Sequence, residues 1–306
     1  MTTVFLILIF LLLLVAFLYM RSTLCRFYHW HRYPVQRTKQ VTSSCCDTHT
    51  LTIMTLNLEH LPFYSARYNQ ERTCGIVKLI AGMKPRPDVV CFQEAWDAAA
   101  FQTLHRRLAC LGYHWCISPH SHRQLAQSGL AIFASQKLKF IQFGRFRQRQ
   151  SYDKLARKGW CRFKIHSWTG INCHLPAHGI IEEPNLSSQA MRQIRNDDDV
   201  CEVIVGDFNI DRCSRVYSRA IKKYYLNAAP FVPTHSSSVC IDHILLPLQK
   251  HNTNRIVQAG HIKLIRRNLS DHDAVWATLR KGRHLQHFLD STSCHTKQNP
   301  FMQGIK

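Results

Sequence analysis

Six apolar runs in this chain each stop at a residue that can do chemistry. TIMTLN closes on Asn57, DVVCFQE on Glu94 and GINCH on His174. VIVGDFN closes on Asp207 and Asn209, VCIDHILLP is broken by Asp242 and His243, and Ser270, Asp271 and His272 precede DAVWATL. Side chains of a strand alternate between its faces, so Asp207 and Asn209 share one face while Phe208 points back into the core. The β-branched run before them suits a strand covered on both sides. Gly206 lets the backbone turn there, or lets something approach closely. Taken singly, each ending is equally a turn residue or a cap. Six at the same place in six strands imply a sheet edge rich in carboxylate, amide and imidazole groups.

The rest of the pattern is mixed. LTIMTLNL, LAIFAS, WCRFKIHSW, GINCHL and EVIVGDFN read as strands, with Thr169-Gly170 as the turn that joins two of them. Two late strands are expected around 258–266 and 273–280. Helical spacing covers 70–83, 97–111 and about 214–224. Many strands with a few interspersed helices predict an α/β fold with two packed sheets or a wound sheet. The globular domain spans 50–280, and the polar, basic stretch 281–306 reads as a loose tail.

Ahead of that domain, residues 4–20 are seventeen apolar residues without a charge. That length is at the lower limit for a bilayer span. MTT lacks the positive charge that precedes a signal peptide's apolar core, so residues 1–20 read as an uncleaved transmembrane anchor. A basic and aromatic linker, 21–49, follows, with Arg21, Arg26, Arg32, Arg37 and Lys39 among Phe27, Tyr28, Trp30 and Tyr33. Basic residues mark the cytoplasmic flank of a span, which predicts a single-pass membrane protein with its main domain in the cytosol. The 13 cysteines form no C-x-x-C pair. Cys91, Cys161, Cys173, Cys201 and Cys240 fall inside apolar runs and read as buried, reduced thiols. The net charge of +21 favours an anionic partner: nucleic acid, an anionic membrane surface or a phosphorylated substrate.

In TLNLEH, FQEAWD, GDFN, CIDHILL and LSDHDAV, taken in that order over residues 51–280, the chain resembles the endonuclease/exonuclease/phosphatase superfamily of metal-dependent phosphoesterases. The resemblance implies a four-layer α/β sandwich, two facing mixed sheets flanked by helices, with the site at one edge. It implies that Glu94 is the main ligand of a divalent ion, Mg²⁺ with Mn²⁺ as its substitute, helped by Asn57, with Asp271 beside the metal. His272 is then the general base and Asp242 its orienting carboxylate. Asp207 and Asn209 position the nucleophile, the phosphate or a second ion, and His174 hydrogen-bonds the phosphate and stabilises developing charge. The chemistry suits these residue types: cleaving a phosphodiester needs an activated water and neutralised phosphoryl oxygens, and Mg²⁺ prefers oxygen ligands.

A further stretch, YDKLARKGWCRFKI, carries a D-x-L-A-x-K-G pattern with Asp153, Lys158 and Gly159. That pattern resembles the neutral sphingomyelinase branch, which implies a phospholipid substrate at a membrane surface, with Lys158 and Asp153 binding it. Around it Arg145, Arg147, Arg149, Lys154, Arg157, Lys158, Arg162 and Lys164 would face lipid phosphates or decorate a solvated hairpin. Trp160 is either a membrane contact or core. The alternative is a nuclease of the same superfamily acting on DNA or RNA, which the charge favours because phosphate neutralisation dominates nucleic-acid affinity.

Overall fold

Strand β1 (Thr50–His60) is buried along almost its whole length. Leu51 and Ile53 pack on one of its faces while Met54, Leu56 and Leu58 pack on the other. A strand covered on both faces needs a layer on each side, and the structure, a computed structural model, supplies them. It describes residues 49–61, 65–118, 128–147, 156–177, 184–196, 201–248 and 254–282. The anchor, most of the linker, Asp153 and nearly all of the tail lie outside the described residues. Among the described residues no helix is long and apolar enough to cross a membrane.

After β1 come α1 (Ala66–Gly82), β2 (Val89–Ala95), α2 (Ala98–Cys110), β3 (Trp115–Ile117) and β4 (Ala131–Ala134). Then follow β5 (Leu138–Arg145), β6 (Gly159–Ile165), β7 (Trp168–His174), α3 (Pro184–Asn196) and β8 (Val203–Asp207). Two short helical turns, Arg215–Tyr217 and Ser218–Lys222, lead to β9 (Tyr225–Asn227), β10 (Asp242–Pro247), β11 (Arg255–Ile262) and β12 (Ala274–Arg280). The strands form two six-stranded sheets, in the orders β11-β12-β1-β2-β4-β3 and β5-β6-β7-β8-β10-β9.

Three apolar clusters define the layers. Between the sheets lie residues such as Ile53, Ile132, Phe163, Val205 and Ile244. The outer face of the first sheet is covered by Ile76 and Ile80 of α1 and by Phe101 and Leu104 of α2. That of the second is covered by Met191 and Ile194 of α3 and by Tyr217 and Ile221. The result is an α/β sandwich.

Local chemistry fixes the element ends. Ser65 Oγ accepts the Tyr68 amide and so starts α1. Asp97 Oδ1 accepts the amides of Ala99 and Ala100 at the start of α2. The expected turn at Thr169-Gly170 is displaced: the β6–β7 hairpin turns at His166 and Ser167, with Ile165 opposite Trp168. His166 takes the left-handed φ of 50° that such a two-residue loop requires. Gly170 is instead a strand residue, glycine because the Phe163 ring lies across it and would meet a Cβ at 2.5 Å. Trp160 is core, fully buried beside α3's cluster. Helix α3 and strands β3, β5 and β9 were not expected from sequence spacing. The described cysteines are free, with Cys91, Cys161, Cys173, Cys201 and Cys240 buried as expected.

A candidate active site at one sheet edge

Register brings the strand ends together. In the first sheet β1 runs parallel to β2, so Asn57 and Glu94 leave the sheet at the same edge. In the second, β7 runs parallel to β8 with His174 opposite Asp207. Strand β10 is antiparallel to β8 and sets Asp242 opposite Asp207. Strand β12 is antiparallel to β1, so the segment that precedes it, with Asp271 and His272, returns to that edge as well. Gly206 is indispensable to the parallel pair: its φ is +147°, and a Cβ there would lie 1.9 Å from the Cys173 carbonyl oxygen.

Two hydrogen-bonded systems hold the sheets together beneath the edge. Asn172 of β7 donates to the carbonyls of Phe92 and Ala131 and accepts from Gln93 Nε2 at 2.7 Å, which ties the second sheet to the first. Above it, Asn57 Nδ2 donates to Asp207 Oδ2 at 3.0 Å. Ser270 Oγ donates to the Asn57 carbonyl and accepts the His272 amide, which fixes the His272 backbone against β1. Arg72 of α1, itself buried, donates to the carbonyls of Leu58, Glu59 and Leu269 and to Glu59 Oε2.

The site's reactive pair is His272 and Asp242. His272 Nδ1–H donates to Asp242 Oδ2 at 2.8 Å, which leaves Nε2 facing the cleft, 3.8 Å from Asp207 Oδ2 and 3.9 Å from Asp271 Oδ1. Burial acts to lower the His272 pKa, but Asp242, Asp207 and Asp271 outweigh it and raise it to about 10. Burial raises Asp242. Thr234 Oγ1 accepts the amides of Ile241 and Asp242 and so sets the start of β10.

Across the cleft, His174 Nε2 lies 3.4 Å from Asp207 Oδ2 and 3.8 Å from Glu94 Oε1. Burial, with the charges of Lys158 and His272, holds the His174 pKa well below its ordinary value. Burial acts to raise Asp207, but His174, His272, Lys158 and the Asn209 amide hold it low. Asn209 takes a left-handed φ of 48°, donates its amide to Asp207 Oδ1 and its side chain to the Leu175 carbonyl. Glu94 also has a positive φ, 54°. Its carboxyl is raised to about 7 by burial, with Asp207 adding and Lys158 and Asn57 opposing. Lys158 is buried, unlike exposed Arg145, Arg147 and Lys164, and its charge acts on Glu94, His174 and Asp207 together.

Thus nine of the ten residues expected from the sequence converge on one cleft, and Asp153 lies outside the described residues. Sequence reasoning missed Thr234, Ser270's double hydrogen bond, Arg72 and His235. His235 Nε2 lies 3.5 Å from Asp271 Oδ2, and its ring sits edge-on to His272 at 4.7 Å. It belongs to a polar loop, PTHSSS, where nothing in composition or period singles out one residue.

The donor set suits a hard divalent cation. Four carboxylates, Glu94, Asp207, Asp242 and Asp271, stand in or beside one partly dry cleft. Glu94 is raised chiefly by its burial, whereas the raised His272 expresses the proton that such an excess of negative charge retains. An ion with oxygen preference would relieve it. Asn57 Oδ1 accepts the Glu59 amide and keeps a second lone pair.

Comparison with known proteins agrees with this geometry. The profile of the Endonuclease/Exonuclease/phosphatase family matches residues 54–272, and the chain belongs to that family. Its members are hydrolases that act on phosphodiester bonds and typically depend on a divalent metal ion. Among solved structures, sphingomyelinase C from Streptomyces griseocarneus is similar at 17% identity and a TM-score of 0.57, over 75% of this chain and 99% of that one. A beta toxin variant from Staphylococcus aureus with bound magnesium ions is similar at 14% identity and 0.57, over 76% and 99%. TDP2 from D. rerio, complexed with a single-strand DNA product, is similar at 14% identity and 0.54, over 76% and 99%. At these identities the likeness is one of fold. No curated protein sequence matches the chain significantly.

Proposed function

We propose that the chain is a membrane-anchored, Mg²⁺-dependent phosphodiesterase that hydrolyses a phospholipid headgroup in the manner of a sphingomyelinase. The observation that carries the hydrolytic reading is the Asp242–His272 pair at 2.8 Å, with Nε2 opening toward Asp207. Glu94, with Asn57 and Asp271 beside it, would hold the cation, which supplies neutralisation of the phosphoryl oxygens when bound. The carboxylates that hold the His272 proton are those whose charge the cation would offset. With that proton gone, His272 Nε2 accepts the proton of the attacking water, and Asp242 holds the ring in the Nδ1–H tautomer and stabilises the imidazolium. Asp207, fixed by Asn57 and Asn209, positions that water. His174 and Lys158 face the charge that develops on the phosphate.

The lipid assignment rests on the Asp153-to-Gly159 stretch, on the apolar run at 4–20 and on the basic residues of the β5–β6 hairpin. The charge of +21 favours a second reading, hydrolysis of DNA or RNA by the same residues. The discriminating experiment offers sphingomyelin vesicles and single- and double-stranded DNA and RNA side by side to the purified full chain, with Mg²⁺ and with EDTA. His272→Ala is the control. Phosphocholine release that needs both Mg²⁺ and His272 is the expected result. Nucleic-acid cleavage with those requirements, and no lipid turnover, would replace the lipid reading.

A further inference from the structure

We propose that His235, Asp271 and His272 form a second metal site, selective for a zinc-class ion, and that an ion there silences the active centre. The silencing half rests on the reading of His272 as the general base, whereas the binding half does not.

The three residues offer ligand atoms that all lie within 4.8 Å of one another. A zinc ion with bonds of about 2.0–2.1 Å sets its ligands roughly 3.4 Å apart. His235 Nε2 and Asp271 Oδ2 are already at that separation, 3.5 Å, and His272 Nε2 and Asp271 Oδ1 are slightly wider at 3.9 Å. Asp271 Oδ1 is buried and has no hydrogen-bond partner among the described residues.

The spacing is set by backbone, not by mobile side chains. His235 and His272 form an antiparallel bridge. On either side of it the Ser236 amide donates to the Asp271 carbonyl at 2.9 Å and the Asp273 amide to the Thr234 carbonyl at 2.7 Å. Both rings have their far nitrogen engaged: His272 Nδ1–H donates to Asp242 Oδ2 at 2.8 Å, whereas His235 Nδ1 lies 2.6 Å from Ser237 Oγ and accepts the Ser237 amide at 3.1 Å. Each Nε2 is therefore the ring nitrogen nearer Asp271. His235 Nε2 carries the neutral ring's proton while Nδ1 accepts the Ser237 amide, and gives it to solvent when an ion binds.

The donor set chooses the ion. Two imidazoles with one carboxylate suit Zn²⁺ and its neighbours, whereas Mg²⁺ prefers an all-oxygen shell. Glu94 and Asn57 belong to that other kind of site, which borders this one at Asp271. His235 and Asp271 are partly exposed, at 25% and 35%, so an ion reaches them from solvent. On binding, His272 Nε2 gives its proton to solvent and its lone pair to the ion. The lone pair is then no longer open to a water proton.

The test titrates the full chain with Co²⁺ as a spectroscopic probe and with Zn²⁺ by calorimetry, in wild type and in His235→Gln, which keeps an amide donor for Asp271. We expect one site with the visible bands of four-coordinate cobalt and without the near-ultraviolet thiolate charge transfer of a cysteine site. Affinity should fall at least about tenfold in the variant. Equal affinity in the two proteins, or thiolate absorption alone, would overturn the site. In the Mg²⁺-supported assay, Zn²⁺ should inhibit the wild type at concentrations at least about tenfold below those needed for the variant. Equal inhibition would overturn the silencing. If no phosphodiester is turned over, the functional reading fails while the cobalt titration still decides the site.

Discussion

Asn57 and Asp207 meet across the two sheets, the amide nitrogen of one 3.0 Å from a carboxylate oxygen of the other. The contact joins the first sheet's edge to the second's and sets the distance between the halves of the site. Asn57→Asp would replace the donor with a like charge against a buried carboxylate. Hydrolysis should fall by about 10²–10³-fold, the scale of removing one well-placed polar group from a dry site. Asn57→Ala, which removes the donor without adding charge, should lose less. Measuring kcat/KM for both variants checks the order, and an Asp variant as active as the Ala variant would remove the contact from the argument.

Asp242 and His272 should behave as a unit. His272→Ala is expected to reduce kcat by about 10²–10⁴-fold, the usual contribution of a positioned base. Asp242→Asn keeps the shape but removes the carboxylate that fixes the Nδ1–H tautomer, so a loss of similar order is expected. The double variant should be scarcely worse than either single one, because each removes the same function. Additive losses in the three kcat values would mean that Asp242 acts elsewhere.

Metal dependence has a readout that needs no substrate. An ion that binds only the folded chain raises its stability, by about 2.7 kcal/mol at a hundredfold excess over Kd. Thermal unfolding of the full chain should therefore shift upward with Mg²⁺ and return with EDTA. Glu94→Gln removes the carboxylate whose burial holds it near 7 and should abolish the shift. A shift that survives in Glu94→Gln would place the cation on other ligands.

Much of this was legible from local pattern. His174, Asp207 and Asp242 end or begin a buried strand, and Glu94 is one residue short of its strand's end. Strand β1 runs past the expected close at Asn57 to His60, with a shift of register after Asn57. A strand's period of two decides which way such residues face. The α/β sandwich follows from strands apolar on both faces. What stayed hidden is what depends on pairs distant in sequence. Arg72 reads as an ordinary helix charge until Leu58, Glu59 and Leu269 are brought around it. His235 becomes notable only when a bridge sets it beside His272. Lys158 sat in a run of basic residues, and nothing in the run says which one turns inward. Strand β9 has three residues, too few for any period to declare itself.

Stability should fall in acid through two histidines outside the reacting pair. His60 is fully buried, and burial with the Arg72 charge lowers its pKa from 6.5 to about 3. Burial lowers His243 to about 4, with the Ile210 carbonyl, which accepts from Nε2, partly opposing. A folded pKa below the unfolded one means that the unfolded chain takes up the proton first. The folded state is thus at full strength above pH 6.5 and loses ground as pH drops toward the folded values. At pH 5 each histidine has removed roughly 2 kcal/mol, a sizeable part of a domain's stability. His60→Leu cannot ionise, so its denaturation midpoint should fall less between pH 7 and pH 5 than the wild type's, by that same rough amount. Parallel curves for the two proteins would show that His60 is not the group that titrates.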